Sequence, residues 1–449
     1  MRAAAPRLAG VPQSSARATL WLLLIPLQVG VGYALAEGSV YALLAVAATV
    51  AAMVVLLYPR QALLVGLAVI PFTDVAVKGV PIGEVLVTGA VFGLFMHFLA
   101  GDDRLRLDRP PAWLAFGFAL MLYLLLISTI YNGALDGEGL RRFGHLAVGA
   151  MLAWVLAARV VQPASAANAL LVGMLISGLI GLAELPLGSH LVGDASYRAR
   201  LTGLFGDPNV AGFYIVTLGT ASLGFVAKRQ TRLLIGGALL VLMVATLSRT
   251  ALIAAILIVI WVAASQRGRV WLPIFALVIS GLLAFQLAQH VKETGPFQDR
   301  GDSDWFRRAV YHETLKRMEA SPVFGEGAAP HRVLVQGGRI FPHNSYLAAV
   351  IEGGVFWLLA WLALLVSAVW KLAHARPRNL LLEGGLIGLF IVAINLGEVL
   401  FELPTFVLIG LALAYLSTHS RSTSEVSPLA SSRPGGAPPA LAHQAPASR

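Results

Sequence analysis

The chain is 449 residues long, 57% hydrophobic and only 12% charged, with a formal net charge of +10 and no cysteine. That charge content is about half that of an ordinary soluble domain, which excludes a water-soluble globular enzyme. Without cysteine, disulfide bracing, thiol nucleophiles and Cys-ligated metals are excluded too. The basic surplus reads as topology signals beside membrane spans, not as a nucleic-acid footprint.

Apolar runs of roughly 16–25 residues recur along the chain, each long enough to cross a hydrocarbon layer of about 30 Å. They predict an all-α, polytopic transmembrane helical bundle; barrel strands would be shorter and would alternate apolar with polar residues. Arg2, Arg7 and Arg17 lead into the first run, where Ala34-Leu35-Ala36 has the small-residue pattern of a signal-peptidase site. That run is long for a signal core and more spans follow at once, so it is read as an uncleaved first helix after a cytoplasmic segment, 1–18. In order, the candidate spans lie near 19–36, 39–57, 61–77, 82–100, 112–130, 143–161, 165–184, 208–227, 232–247, 250–264, 270–289, 345–370, 380–397 and 403–418. Several are short, which sets the expectation at about 12–14 helices between residues 19 and 418. The Ser-, Pro- and Ala-rich tail, 419–449, has too little apolar surface to fold and is expected to be disordered and cytoplasmic.

With the N-terminus inside, Arg104/Arg106/Arg109, Lys228/Arg229/Arg232, Arg267/Arg269 and Lys371/Arg376/Arg378 all fall on the cytoplasmic side, as the positive-inside rule demands. Residues 185–207, the turn at Ser248-Arg249 and the long polar loop 290–343 then face outward. Within that loop, Asp302 or Ser303 is placed to cap a helix running to about Ala320. Its apolar residues (Trp305, Phe306, Ala309, Val310, Leu315, Met318) share no clean face, which predicts a helix wedged between other elements. Ser321-Pro322 stops it, and Gly325-Glu326-Gly327 makes a turn.

Three outer segments share one design. Asp207-Pro208-Asn209 starts the span at 208–227, with Asp207 as cap and Pro208 at the first helical position. Ser248-Arg249 starts the span at 250–264. His343-Asn344-Ser345 starts the span at 345–370, with Asn344 or Ser345 as cap. Each helix start exposes unpaired N–H groups and the positive pole of the helix dipole, so together they suit an anion. Arg200 and Arg249 add guanidiniums fitted to a phosphate or diphosphate. His343 is the candidate proton acceptor, since a helix N-terminus disfavours imidazolium. Taken singly, Asp-Pro-Asn is foremost a helix-start signal, and Arg141, Arg142, Arg307 and Arg308 read as loop or headgroup contacts. Asp74, Glu84, Glu184, Glu352, Glu398 and Glu402 lie in or near spans, where carboxylates are functional candidates by default. No His-Glu-x-x-His or other zinc spacing occurs, so no metal is expected, and no Gly-Lys-Ser/Thr phosphate loop supplies an internal energy source.

Over roughly residues 165–400 the chain resembles the O-antigen ligase and polysaccharide polymerase superfamily of polytopic membrane proteins. The resemblance rests on Arg200-Leu201-Thr202-Gly203-Leu204-Phe205-Gly206-Asp207-Pro208-Asn209, Ser248-Arg249, Trp305, Pro322-Val323-Phe324-Gly325-Glu326-Gly327, His343-Asn344-Ser345-Tyr346 and Glu352-Gly353-Gly354, in that order. It implies a metal-independent, inverting glycosyltransferase of the bacterial inner membrane with no cofactor. Such an enzyme takes a glycan from a polyprenyl-diphosphate carrier at the periplasmic face. It passes that glycan to an acceptor hydroxyl, on lipid A–core in a ligase or on a carrier-linked repeat in a polymerase. Carried over by motif, Arg200 and Arg249 bind the diphosphate, with Asp207, Asn209 and Asn344 around it. His343 positions or activates the acceptor, and Arg198 competes with Arg200 for its role. A flippase or transporter of lipid-linked glycan is the alternative. It would place its polar groups near the membrane midplane on repeated, broken helices, whereas these groups gather at one face.

Overall fold

In a computed structural model of the chain, the described residues are 54–77, 80–101, 111–133, 137–187, 200–266, 301–328, 333–335, 338–397 and 399–425. The candidate spans at 19–36 and 270–289, most of that at 39–57, Arg198, Glu398 and residues 426–449 of the tail lie outside them.

The described chain is an all-α bundle with two small antiparallel hairpins. Its helices are α1 (Pro59–Val69), α2 (Ile82–Leu99), α3 (Ala112–Tyr131), α4 (Gly137–Ala157) and α5 (Pro163–Glu184). Then come α6 (Pro208–Tyr214), a wide π turn (Ile215–Gly219) and the short α7 (Thr220–Leu223), which run on as one rod. There follow α8 (Arg229–Ala245), α9 (Arg249–Ser265), α10 (Gly301–Ala320), α11 (Ser345–His374), α12 (Leu380–Val392) and α13 (Leu403–Glu425). Strands β1 (Ala76–Val77) and β2 (Val80–Pro81) form one hairpin, and β3 (Val333–Val335) and β4 (Gly338–Ile340) the other. α2, α3, α4, α5 and α11 are each long and apolar enough to cross a membrane, so the chain is a multi-pass membrane protein.

Hydrogen bonds between elements mark two ends of the bundle. At one, Arg378 reaches the Ser265 carbonyl (3.5 Å), Asn379 donates to the Gly224 carbonyl (3.1 Å), and Tyr415 donates to the Pro377 carbonyl (2.8 Å). Lys228, Arg229 and Arg232 lie at this same end, at the start of α8. At the other, Leu201 N–H bonds the Ala245 carbonyl and Ser345 N–H bonds the Ala393 carbonyl, both at 2.9 Å. The starts of α6, α9 and α11 all belong to this second end.

Several boundaries differ from the sequence reading. α4 begins at Gly137, six residues ahead of the apolar run, so Arg141 and Arg142 sit inside the helix and not in a loop. Arg142 is buried and makes two bonds to Glu352, Nη2–Oε1 at 2.6 Å and Nε–Oε2 at 3.2 Å, with its guanidinium 4.8 Å from the Phe401 ring centre. α13 continues to Glu425, past the expected end at 418. α10 is less enclosed than expected. Val310 packs on Val333 and Val335 of the β3–β4 hairpin, while Trp305 and Tyr311 stay exposed.

The apolar run of α11 hides a break. Gly354 has φ +77°, outside helical space, and a Cβ there would sit 1.8 Å from the Val323 carbonyl oxygen. The freed carbonyls of Ile351 and Glu352 accept from Glu326 N–H (2.6 Å) and Gly327 N–H (2.9 Å), and Val355 N–H donates to the Pro322 carbonyl (2.9 Å). The segment Pro322–Gly327 is thus laid into the helix as a patch. Arg317 clamps Glu326 from α10 with Nε–Oε1 at 2.7 Å, and Asn132 donates to the Gly325 carbonyl at 3.0 Å.

Removing one partner of the Arg142–Glu352 pair leaves a buried charge alone, at a cost of about 3–5 kcal/mol. Arg142→Ala is therefore expected to lower the unfolding midpoint of the detergent-solubilised protein sharply. The double variant Arg142→Met/Glu352→Met should recover most of that loss, as measured by thermal unfolding.

Candidate functional site

Each site residue is held by ordinary helix-start chemistry. Asp207 Oδ1 accepts from the N–H groups of Asn209 (2.6 Å) and Val210 (3.2 Å), capping α6 as expected. Asn344 Oδ1 accepts from Tyr346 N–H (2.9 Å) and Leu347 N–H (3.1 Å), which makes Asn344 the cap of α11. Ser345 instead donates to the Leu396 carbonyl at 2.6 Å, tying this start to the segment after α12. Ser248 precedes α9 in extended conformation without a capping bond from its side chain; its hydroxyl donates to Asn209 Oδ1 at 3.3 Å.

Asn209 is the junction. Its Oδ1 also accepts from Arg200 Nη2 at 3.2 Å, while Arg200 Nε donates to the Thr246 carbonyl at 3.0 Å. That carbonyl is aimed by the turn before α9, where Leu247 adopts φ +49°, a left-handed conformation unusual for a residue with a side chain. One network therefore joins Arg200, the start of α6 and the residues just ahead of Arg249. Arg249 is the first residue of α9, half-buried beside Ser248.

His343 belongs to the same neighbourhood. Burial lowers its imidazole below the ordinary 6.5, the charge of Arg307 lowers it further, and Asp207 opposes them. The imidazole therefore lies within electrostatic reach of the cap of α6 and of a cation on α10. Neutral His343 can accept a proton, which is the state a base requires. Arg307 is the site residue that sequence reasoning missed. It read as a headgroup contact because α10 carries no pattern that says which face meets the bundle.

The acidic residues separate into three groups. Asp74 lies against the loop before α6, where a Cβ on Gly206 (φ +70°) would come within 2.2 Å of its Cγ. Glu352 is consumed by Arg142, a structural assignment where a functional one was open. Glu84 and Glu402 open into a cavity of about 880 Å³ that also meets Val210, Phe213 and Tyr214 of the α6 rod. Arg198 and Glu398 lie outside the described residues.

Three helix starts and two guanidiniums at one end of the bundle form a dense source of positive potential without a metal ion. The arrangement suits an anion with several oxygens, beside a neutral histidine.

Comparison with known proteins agrees with this chemistry. Residues 233–362 match a family model described as O-antigen ligase. Over 145 residues the chain is 30% identical to the O-antigen ligase of Pseudomonas aeruginosa, a stretch that covers 31% of this chain and 33% of that protein. The chain thus matches about a third of the length of this curated relative. The family model takes in Ser248, Arg249, α10, His343, Asn344 and Glu352, while Arg200, Asp207 and Asn209 precede it. Together, the ordered motifs and the two matches support membership of the O-antigen ligase superfamily for this chain.

Proposed function

We propose that this protein transfers a glycan from a polyprenyl-diphosphate carrier to an acceptor hydroxyl at the periplasmic face of the inner membrane, as an O-antigen ligase acting on lipid A–core. The observation that carries this reading is the Arg200–Asn209–Ser248 network, which gathers helix starts and arginines where His343 also lies.

The acceptor oxygen attacks the anomeric carbon of the donor sugar, and its proton passes to the His343 imidazole. The bond from that carbon to the diphosphate oxygen breaks on the opposite side, so configuration inverts. The electron pair stays on the diphosphate. Negative charge grows there as the bond breaks, so Arg200, Arg249 and the helix-start N–H groups stabilise the transition state more than the bound substrate. The lipid diphosphate already holds the activation, so no nucleotide and no metal is required. Arg200 is oriented by its Nε bond to the Thr246 carbonyl and its Nη2 bond to Asn209 Oδ1. A repeat-unit polymerase would use the same donor groups with a different acceptor.

Arg249→Ala and His343→Ala are each expected to abolish transfer, with normal membrane insertion. The check is an assay in membranes with lipid-linked O-antigen as donor and lipid A–core as acceptor; full transfer by either variant overturns the site. Asn209→Ala removes the bond from Arg200 Nη2 to Asn209 Oδ1. A hydrogen bond to a charged group contributes about 1.5–3 kcal/mol, so a loss of roughly 10- to 100-fold in the transfer rate is expected. Because burial and Arg307 hold the imidazole below its ordinary value and it acts as the base, the rate should rise with pH along a titration whose midpoint lies below 6.5. A midpoint above 6.5 would contradict that assignment.

A further inference from the structure

The cavity beside the helix starts has a chemistry of its own. Glu84 comes from α2, His145 from α4 and Glu402 from the turn before α13, and single ligand atoms of all three lie within 4.8 Å of one another. Thr73, Thr88 and Arg141 add polar groups to the wall, and Phe213 and Tyr214 add aromatic ones. The cavity runs from Ile70 and Pro81 at the outer end to Gly89, seven residues or about 10 Å along α2. Leu396 and Gly397 are part of its lining. The same two residues touch the His343 segment: Leu396 takes the Ser345 hydroxyl bond, and a Cβ on Gly397 would lie 2.1 Å from the Pro342 carbonyl oxygen. The cavity and the proposed transfer site therefore share a wall.

Charge decides what enters. Two carboxylates facing one space repel a diphosphate, so this is not a second donor pocket. Arg141 and Arg142 act electrostatically on both carboxylates, with Arg142 itself paired to Glu352, so positive charge already faces the cluster. A divalent cation would enter against those guanidiniums. A neutral ligand rich in hydroxyls meets no such penalty: carboxylate and imidazole accept its O–H groups, Arg141 donates, and aromatic rings cover its C–H faces.

We propose that this cavity is the acceptor subsite, holding an uncharged polyhydroxyl stretch of the acceptor glycan on Glu84, His145 and Glu402 while its terminal hydroxyl reaches His343. This rests on the transferase reading and extends it. The donor is held by the positive helix starts, and the acceptor by a carboxylate-rich cavity next to them. The acceptor stretch bound here bears no phosphate.

The test uses the full-length protein in nanodiscs and two phosphate-free probes, core oligosaccharide released from lipid A and free O-antigen repeat-unit oligosaccharide. Binding is read by calorimetry, and transfer kinetics in parallel. Glu84→Gln and Glu402→Gln should each weaken binding of one probe at least about tenfold and raise the acceptor KM to match, with the donor KM unchanged. Thr88→Leu, which narrows the cavity without touching a charge, should do the same, and it keeps the test meaningful where a carboxylate variant inserts poorly. Arg249→Ala should abolish transfer and leave probe binding intact. Preference for core oligosaccharide marks a ligase acceptor, and preference for the repeat unit a polymerase acceptor; either supports the subsite. Equal binding by wild type and all cavity variants, binding of neither probe, or probe binding that a chelator removes would overturn it. Absence of transfer by the wild type would instead overturn the transferase reading, and probe binding would still report on the cavity.

Discussion

A helix in lipid must satisfy its own backbone, and α11 does not. The left-handed Gly354 interrupts the ladder inside an otherwise apolar 30-residue helix and releases polar groups where no water is at hand. Much of the surrounding architecture answers that interruption. The Pro322–Gly327 segment supplies the missing donors and acceptor. To reach them it must lie flat in the notch, which the two glycines Gly325 and Gly354 permit by leaving no Cβ at the contact. Its other face is gripped by Asn132 and Arg317. α10 is thereby anchored at its C-terminal end, and Arg307 within it comes into electrostatic range of His343. The same break sits two residues from Glu352, whose side chain takes Arg142 and whose carbonyl takes the Ser128 hydroxyl at 2.8 Å. α3, α4, α10 and α11 are thus joined at one level by polar bonds that apolar packing alone would not orient.

Transfer chemistry of the proposed kind separates two charge problems. A leaving diphosphate needs fixed positive groups, while an acceptor hydroxyl needs a neutral base and a surface of hydrogen-bond acceptors. One end of the bundle holds both environments side by side. Arg200, Arg249 and the capped helix starts make one. Glu84, His145 and Glu402 make the other. His343 stands at the boundary, its imidazole lowered by burial and by Arg307 against the pull of Asp207.

What could be read from the chain follows from the range of each interaction. Caps act over three residues, so Asp207-Pro208 and Asn344 announced their helices correctly, and Ser321-Pro322 marked the end of α10. Periodicity and apolar length located most of the spans. Arg142 was misread because the apolar run begins one residue later, the helix extends back to Gly137, and the partner that holds Arg142, Glu352, lies 210 positions away. The break in α11 was invisible for the same reason. Two adjacent glycines inside an apolar run look like ordinary small residues until a distant segment is found hydrogen-bonding to their neighbours. Arg307 and the Glu84–His145–Glu402 cluster are likewise products of packing, with no local pattern to reveal them.

The wide turn in the α6–α7 rod has its own consequence. A π turn holds an extra residue relative to α geometry and so shifts the helical phase between the segments on either side. At the turn and just below it, the rod meets α12 at very close range: a Cβ on Gly385 would lie 2.7 Å from the Thr217 carbonyl oxygen and from Ala221 Cβ. Above it, Asn209 faces Arg200 and Ser248. The turn therefore works as a phase adapter between two sets of demands on one helix. The lower half is committed to a close, glycine-lined seam, and the upper half is set at the angle that brings Asn209 to Arg200 and Ser248.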